Sequence, residues 1–376
     1  MGSRIYFVAG EASGDSHGAA LMQALRASDP HLIFAGRGGP KMTDAAGGVF
    51  TNWSEAAAVV GLWEVIKRYG YFRREFRAAL AEISALAPAA IVLIDYPGFN
   101  LRLARALRRS GVSAKIIYYI SPQVWAWNRA RIPRMARWLD LMLCIFPFEA
   151  DLYNRSGLRT IFVGHPMLEN LGARPASRPR DENLVGLFPG SRLREVRKIF
   201  PVMLRTAQRM ATVRPELRFE VAAASATLAG EIRALAASHP EIAVTVGRAS
   251  ELMQRADVAA VASGTATLEA AIFRLPFILV YKVSWLTYVA ARLVVKVKFL
   301  GMPNVLAGRE IVREFIQHRA QPARMADALL ALLADRAARA LVISEFDAIV
   351  AALGEGGASK RAAHAILAEL SHRPRT

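Results

Sequence analysis

Short apolar runs alternate with amphipathic stretches along most of the chain, and this alternation constrains its fold more than any other feature. Short continuous apolar runs are typical of strands buried on both faces of a parallel sheet, and the stretches between them have a helical period. In the first half, the predicted strands are residues 4–9, 32–35, 90–94, 115–120, 141–145 and 160–163, with helices at 16–27 and 71–85. In the second half, strands are predicted at 184–188, 218–222, 243–246, 258–261 and 277–280, with a long helix at 193–210. The alternation predicts an α/β fold with parallel sheets.

The chain has 376 residues, which suits two domains better than one core. Residues 172–183 read GARPASRPRDEN, rich in Pro, Arg and Gly and without an apolar period, so they indicate a linker. We expect two Rossmann-like, doubly wound domains facing a central cleft, at 1–170 and 183–340, joined by a linker at 171–182. The Ala-rich end, 341–376, is predicted to form helices that pack back on the first domain or on a partner subunit. Ligands of such sheets bind beyond the carboxyl ends of the strands.

The formal net charge of +18 predicts an anionic partner, which could be nucleic acid, a phosphorylated ligand or an anionic lipid surface. The single cysteine, Cys144, lies in the apolar run LMLCIF and is interpreted as a buried hydrophobic residue. No leader peptide and no membrane span is expected, because the most hydrophobic region, residues 277–300, is interrupted by four basic residues.

Two motifs of the first half follow predicted strands. Gly10-Glu11-Ala12-Ser13-Gly14-Asp15 stands between a strand and a helix, where free N–H groups could meet an anion or polar ligand; Ser13 or Asp15 could equally be a plain helix cap. Asp95, at the end of a strongly apolar strand, begins the motif that ends in Asn100, and a carboxylate there can serve as general base for an acceptor hydroxyl. The alternative is a helix-capping aspartate.

Two motifs of the second half are typical of phosphate binding. Gly190-Ser191-Arg192 follows a strand and opens a basic helix, so glycine, helix N-terminus and arginine fork together predict a diphosphate site. Ser263, Gly264 and Thr265 offer backbone N–H groups and hydroxyls after another strand, and Glu269, one helical turn further, could accept both hydroxyls of a ribose. The alternative is an ordinary capped helix with an exposed glutamate. The P-loop pattern is absent.

The histidines and the single cysteine lack metal-ligand spacing, so neither a metal nor another cofactor is expected. His165, in Gly-His-Pro before the linker, is interpreted as a packed hinge residue, with a catalytic role as the alternative. Residues 59–77 and 285–299 mix aromatic and basic residues and suit contact with anionic lipid; a core helix with snorkelling ends or an acyl-chain groove would need the same residues.

Taken in order, these motifs resemble the lipid-A-disaccharide synthase family, glycosyltransferase family 19. The resemblance spans about residues 4–320 and rests on nine stretches: GEASGD, GRGGPKM, DYPGFN, YYISPQVWAWN, FPFE, FVGHP, FPGSRLREV, SGTATLEA and GMPNVLAGREIVREFIQ. Departures are small: Phe188 stands where leucine is common, and Gly301-Met302 precedes Pro303 where the family varies.

The resemblance implies a GT-B-like fold and an inverting transfer from UDP-2,3-diacylglucosamine to 2,3-diacylglucosamine 1-phosphate, giving a β-1,6 disaccharide and UDP in lipid A biosynthesis. It implies that Asp95 is the catalytic base and that the first domain binds the lipid acceptor through Ser13, Asp15 and Asn100. Nucleotide binding falls to the second domain: Arg192, Ser263, Gly264, Thr265, Glu269, Asn304 and Gln317. It also implies a peripheral enzyme on the cytoplasmic face of the Gram-negative inner membrane, and a homodimer formed by exchange of C-terminal segments.

Two other functions compete with this one. Another UDP-sugar enzyme of the same fold, such as a UDP-GlcNAc epimerase or a lipid-linked GlcNAc transferase, would lack the DYPGFN and SPQVWAW stretches. A non-enzymatic protein that binds membrane or nucleic acid would use the charge alone, but no nucleic-acid-binding signature occurs, so no nucleic acid is expected as partner.

Overall fold

A computed structural model of the chain describes residues 3–53, 69–171, 179–239, 241–285, 287–289 and 297–371. The chain forms two compact units. The first comprises Met1–Asn170 together with Leu353–Thr376, and the second comprises Leu171–Ala352.

The first unit is built on a parallel seven-stranded sheet in the order β3-β2-β1-β4-β5-β6-β7. Its strands are β1 (Arg4–Ala9), β2 (Ile33–Gly38), β3 (Phe50–Asn52), β4 (Ala90–Ile94), β5 (Lys115–Tyr119), β6 (Leu141–Cys144) and β7 (Thr160–Phe162). Its helices are α1 (Ala12–Ser28), α2 (Pro40–Ala46), α3 (Tyr69–Leu86), α4 (Pro97–Arg109), α5 (Val124–Trp127), a 3-10 turn (Arg129–Arg131), α6 (Ile132–Met135), α7 (Pro147–Asn154) and α8 (Met167–Asn170).

The second unit repeats this plan with a parallel six-stranded sheet in the order β10-β9-β8-β11-β12-β13. Its strands are β8 (Asp181–Phe188), β9 (Arg218–Ala223), β10 (Ala243–Val246), β11 (Ala256–Ala262), β12 (Phe277–Tyr281) and β13 (Glu314–Ile316). Its helices are α9 (Leu193–Val213), α10 (Ala226–Leu235), α11 (Ala249–Arg255), α12 (Thr265–Ile272), α13 (Met302–Ala307), a 3-10 turn (Gln317–Arg319), α14 (Pro322–Ala334) and α15 (Arg336–Ala352); α16 (Ala358–Ser371) belongs to the first unit.

Alternation along β1 shows how the sequence builds a core on each face of the first sheet. Ile5 and Phe7 point into one apolar cluster, whereas Tyr6 and Val8 point into the other, because successive side chains of a strand leave opposite faces. Both faces are covered by helices, so every residue of β1 after Arg4 is buried. The predicted α/β class with parallel sheets is confirmed.

The C-terminal helix α16 is fastened to the first unit by polar contacts. Glu369 is buried and forms ion pairs with Lys115 at 3.0 Å and Arg159 at 2.6 Å. Glu169 accepts hydrogen bonds from the backbone N–H of Ser359 at 3.0 Å and from its hydroxyl at 2.8 Å. The predicted block 341–376 is therefore divided, since α15 belongs to the second unit and only Leu353–Thr376 to the first.

Among the described helices, none combines the length and apolar character that crossing a membrane requires. Of the two stretches with mixed aromatic and basic residues, 59–68, 286 and 290–296 lie outside the described residues. Within the described part, Tyr69 and Trp285 are strongly exposed. Glu75 of the first stretch turns inward and forms an ion pair with the buried Arg37.

Candidate active-site residues at the switch points of the two sheets

In each sheet, the strand order reverses direction between two neighbouring central strands. In the first sheet these are β1 and β4, which are paired with Ala9 opposite Ile94. Connections leave such a pair toward opposite sides and open a crevice at the carboxyl ends of the strands, where ligands of α/β sheets bind. Glu11 and Asp95 follow these two strand ends, so the first unit places two carboxylates at its switch point.

Asp95 sits on a strained turn that the fold holds in place. Its φ is +45° and that of Tyr96 is +51°, in the left-handed region that costs a non-glycine residue about 1–3 kcal/mol. The Asp95 N–H donates to the carbonyl of Tyr119 at 3.0 Å, and the Asp95 carbonyl accepts from the Tyr118 hydroxyl at 2.5 Å and from Asn100 Nδ2 at 2.8 Å. These three bonds fix the backbone of Asp95 and do not use its carboxylate oxygens.

The environment of Asp95 makes it a stronger base than an ordinary aspartate. Burial raises its pKa to about 6, repulsion by Glu11 adds to the shift, and a hydrogen bond from the Tyr96 backbone opposes it. At neutral pH the group is ionised, yet it accepts a proton more readily than an exposed carboxylate. Glu11 lies within a motif that the sequence singles out, but the sequence alone assigned it no role; its position after the neighbouring strand was the available signal.

Gly10 owes its identity to Tyr96. A Cβ at Gly10 would lie 2.4 Å from the Tyr96 ring, so only glycine lets the ring lie over the end of β1. The same ring contacts Trp53 edge-on, with 6.0 Å between the ring centroids. Gly10 and the Asp95-Tyr96 turn are thus one packed assembly.

The loop predicted at 10–15 is mostly helical. Helix α1 begins at Ala12, after Glu11 with φ −133°, and Ser13 lies exposed in its first turn. Asp15 is buried, and its carboxylate accepts from the N–H groups of Gly39 at 2.9 Å, Lys41 at 3.1 Å and Met42 at 2.9 Å. Asp15 is a helix cap, but of α2 and not of α1.

The second sheet reverses between β8 and β11, which are paired with Phe188 opposite Val261. Gly190 with φ +107° leads from β8 into α9, whose N-cap is Arg192. Gly264 with φ +143° is the N-cap of α12, and a Cβ there would meet nothing within 4 Å. Two helix N-termini therefore begin side by side at this switch point, an arrangement that favours binding of an anion.

Side chains around the second switch point are arranged by local bonds. Arg192 is 61% exposed and its Nη1 contacts Glu195 Oε1 at 3.1 Å. Thr267 is fully buried and donates from its hydroxyl to the Gly264 carbonyl at 2.8 Å, which closes the turn. The Ser250 hydroxyl donates to Glu269 Oε1 at 2.5 Å and orients that carboxylate. Ser263 donates its N–H to the Val280 carbonyl at 3.1 Å, and Thr265 is exposed.

Asn304 and Gln317 are buried and use their amides on the backbone. Asn304 Oδ1 accepts from the N–H groups of Ile311 at 2.7 Å and Val312 at 2.9 Å, while its Nδ2 donates to the Val312 carbonyl at 2.8 Å. Gln317 bonds both the N–H and the carbonyl of Val283, at 2.9 and 3.2 Å.

Four of the predicted site residues, Asp15, Asn100, Asn304 and Gln317, are buried, and their side chains bond the backbone and position it. Direct contact of these four with a ligand stays a prediction. Asp95 and Ser13 lie in the first unit near its switch point. Those that gather at the second switch point are Arg192, Ser263, Gly264, Thr265 and Glu269.

His165 and Cys144 are buried residues of the first unit. Burial lowers the pKa of His165 to about 4, helped by His17, and its Nδ1 accepts the Met167 N–H at 3.2 Å. A neutral imidazole packed on Phe146 fits a structural role. Burial raises the pKa of the Cys144 thiol, which keeps it protonated and unreactive. Across the described residues, no three His, Cys, Asp or Glu side chains converge as a metal site would require.

Comparisons with known proteins point in one direction. Residues 5–366 match the family model described as Lipid-A-disaccharide synthetase. The chain is 41% identical to the lipid-A-disaccharide synthase of Geobacter sulfurreducens, covering 97% of this chain and 96% of that protein. Among solved structures it is similar to the MnaA-UDP complex of S. aureus, with a TM-score of 0.66, 12% identity and 99% of each chain covered. A kitacinnamycin glycosyltransferase matches with a TM-score of 0.61, 17% identity, and 98% and 100% of the two chains covered. At these identities the solved structures establish the fold alone, which is the GT-B-like two-domain fold that the sequence predicted.

Proposed function

This chain belongs to the lipid-A-disaccharide synthetase family, and on that premise we propose that it joins two acylated glucosamines, one delivered by UDP, into the lipid A disaccharide. It is a glycosyltransferase of lipid A synthesis whose substrates are a UDP-sugar and a lipid. The competing assignments lose support, because similarity across 97% of the chain leads to lipid-A-disaccharide synthases, whereas other UDP-dependent proteins share only the fold.

In the proposed reaction, UDP-2,3-diacylglucosamine is the donor and 2,3-diacylglucosamine 1-phosphate the acceptor. Asp95 takes the proton from the acceptor 6-hydroxyl as that oxygen attacks the anomeric carbon, with inversion, to form the β-1,6 bond. UDP departs without protonation, so one base suffices. The observation that carries this proposal is the Asp95 carboxylate at the first switch point, fixed by its backbone bonds and with its pKa raised to about 6.

The second unit binds UDP in this proposal. The N-termini of α9 and α12 and the guanidinium of Arg192 stabilise the charge that develops on the leaving diphosphate. Glu269, oriented by Ser250, accepts the ribose hydroxyls. Because these groups carry the charge, we expect full activity in EDTA.

The proposal extends to the place of action. Trp285 is 66% exposed, the net charge is +18, and the acyl chains of both substrates lie in membranes. We therefore propose peripheral contact with the anionic cytoplasmic face of the inner membrane. From the family resemblance we also propose a homodimer, and because the sequence has no nucleic-acid-binding signature we propose no nucleic-acid partner.

The base assignment is tested by Asp95→Asn, with Asp151→Asn as control, since Asp151 is an exposed aspartate of the same unit. Product is measured as UDP and tetraacyl disaccharide by mass spectrometry. Asp95→Asn should lose about 10²–10⁴-fold in kcat with unchanged circular dichroism, the range that a positioned base supplies. Near-normal kcat in Asp95→Asn would refute the assignment, and no product from the unaltered protein would refute the function.

A further inference from the structure

A dense group of cations in the first unit has no role in the mechanism proposed above. Residues 129–137 contain Arg129, Arg131, Arg134 and Arg137 and no acidic residue. The next acidic residue along the chain, Asp140, pairs with Arg108 instead. Within the described parts of the chain, none of these four arginines takes part in an ion pair, so their positive charge is not neutralised by the fold.

The backbone that carries these arginines is anchored to the core. Trp125 is buried and donates from Nε1 to Glu149 Oε1 at 2.8 Å. The Tyr153 hydroxyl donates to the Pro122 carbonyl at 2.8 Å. Arg129 Nε donates to the Trp125 carbonyl at 3.1 Å, which links the first arginine to the anchored segment. These bonds fix the backbone at the start of the arginine-rich segment.

Two of the guanidinium groups are themselves oriented. The central carbon of the Arg131 guanidinium lies 4.7 Å from the centroid of the exposed Trp127 ring, a cation–π contact that holds the cation. In Arg129 the Nε is bonded to backbone, so the terminal nitrogens remain as donors. Paired guanidinium forks are the side chains that best match a phosphate monoester.

The connection that leads to these arginines, residues 120–128, begins beside the base. It follows β5, the strand paired with β4, and the Asp95 N–H bonds the carbonyl of Tyr119 in β5. The acceptor carries its phosphate and its reacting hydroxyl on one sugar ring, so the phosphate must be bound within one sugar of Asp95. Glu11 and Asp95 make the switch point itself negative, which disfavours a phosphate there.

We propose that Arg129 and Arg131 bind the anomeric phosphate of the acceptor sugar and thereby select a phosphorylated acceptor. The inference rests on the proposed function and deepens it. A phosphate monoester on the acceptor and a phosphodiester headgroup of the membrane offer related chemistry, and the test separates them.

The test compares the double variant Arg129→Gln/Arg131→Gln with the unaltered protein. The matched control is Arg109→Gln. Arg109 is exposed at the C-terminal end of α4, toward the amino ends of the strands and away from Asp95. With 2,3-diacylglucosamine 1-phosphate we expect the acceptor KM of the double variant to rise about tenfold or more, since each charge-assisted contact is strong. The KM for the UDP-sugar and kcat should change little, and Arg109→Gln should resemble the unaltered protein.

A second acceptor isolates the phosphate. With the methyl glycoside of 2,3-diacylglucosamine, which lacks the phosphate, the double variant and the unaltered protein should have equal acceptor KM. Arg131→Lys keeps the charge but loses the fork, so its KM for the phosphorylated acceptor should fall between those of the double variant and the unaltered protein. Equal thermal midpoints of the variants show that folding is not the cause.

Three outcomes overturn the inference. One is an unchanged KM for the phosphorylated acceptor. Another is an equal KM rise with both acceptors. The third is a KM rise in Lys41→Gln but not in the double variant, which would place the phosphate beside α2. If acceptor KM is unchanged while flotation on phosphatidylglycerol vesicles falls, the arginines bind membrane headgroups instead. If the unaltered protein makes product and has the same KM for the acceptors with and without the phosphate, only this inference is refuted. If the unaltered protein makes no product, the proposed function is refuted.

Discussion

The pH dependence of turnover can be traced to Asp95 by changing its neighbour Glu11. Two causes raise the Asp95 pKa from 3.8 to about 6: burial is the larger, and repulsion by Glu11 is the smaller. With a base of pKa about 6, kcat/KM should be half-maximal near pH 6 and about a tenth of its plateau at pH 5. Glu11→Gln removes only the smaller cause, so we expect the acid limb to move down by about half to one unit. At pH 5 the kcat/KM of the variant, taken as a fraction of its own plateau, should then be about three- to fivefold that of the unaltered protein.

The acceptor phosphate titrates in the same pH range as Asp95, so the acid limb of the profile has two candidate sources. Its second ionisation falls near pH 6, in the range of the expected limb. A limb that belongs to the substrate cannot move when a protein side chain changes, so the displacement in Glu11→Gln identifies the titrating group.

The assay is kcat/KM for the acceptor between about pH 4.5 and 8.5 at constant ionic strength, with Asp151→Asn as the control that should leave the limb in place. Raising the salt should narrow the difference between Glu11→Gln and the unaltered protein, because the repulsion is electrostatic. A limb at the same pH in both proteins would mean that Glu11 does not set the Asp95 pKa or that Asp95 is not the titrating base.

Three further perturbations test other contacts. Asp95→Asn should raise the free energy of unfolding at pH 7.5 by at most about 3 kcal/mol, because the folded state favours the neutral carboxyl. The stability difference between the variant and the unaltered protein should shrink below pH 6 and vanish below about pH 4. Chemical denaturation at each pH measures it. Asn304→Ala should lower the free energy of unfolding by about 2–4 kcal/mol, since two buried N–H groups lose their acceptor. If Asn304 only positions the backbone, the affinity for UDP measured by isothermal titration should fall by less than about tenfold. Glu369→Gln should lower the free energy of unfolding by about 1–2 kcal/mol, because Lys115 and Arg159 lose their buried anionic partner. Proteolytic release of α16 should become faster. An unchanged thermal midpoint and an unchanged cleavage rate would contradict this.

Strands of four or more apolar residues were readable from the sequence. The predictions at 4–9, 90–94 and 243–246 coincide with β1, β4 and β10, and most others differ by one or two residues at an end. Two strands were missed, β3 (Phe50–Asn52) and β13 (Glu314–Ile316). Each has three residues at the edge of its sheet and includes polar residues, so no apolar run marks it. The equally short edge strand β7 was predicted because it overlaps the apolar run at residues 161–163. Both missed strands exist because a neighbouring strand pairs with them.

The structure places the predicted motifs after strands of the two sheets, but it gives several of their side chains contacts that the sequence did not predict. The motif positions follow the central strands, so residues such as Asp95 and Gly264 fall at switch points that strand order alone could anticipate. A sequence does not show whether a polar side chain faces a ligand or the backbone. Asp15 caps a helix 25 residues further along the chain, and Asn304 binds a loop seven or eight residues away, contacts that only the folded chain defines. The same limit hid Glu11, whose influence on Asp95 depends on the pairing of β1 with β4.

The return of the chain to the first unit at Leu353 makes the second unit an insertion within the first. A fragment ending at residue 170 would lack α16, which packs on α1 and contributes Ala362 and Ile366 to the same apolar cluster. The buried apolar side chains of α1 would then lose their cover. Joining residue 170 to 353 by a short linker would instead restore every strand and helix of that unit in one shorter polypeptide. The first unit is therefore a candidate for separate expression with the second unit replaced by a short linker, whereas the N-terminal fragment that ends at residue 170 is not.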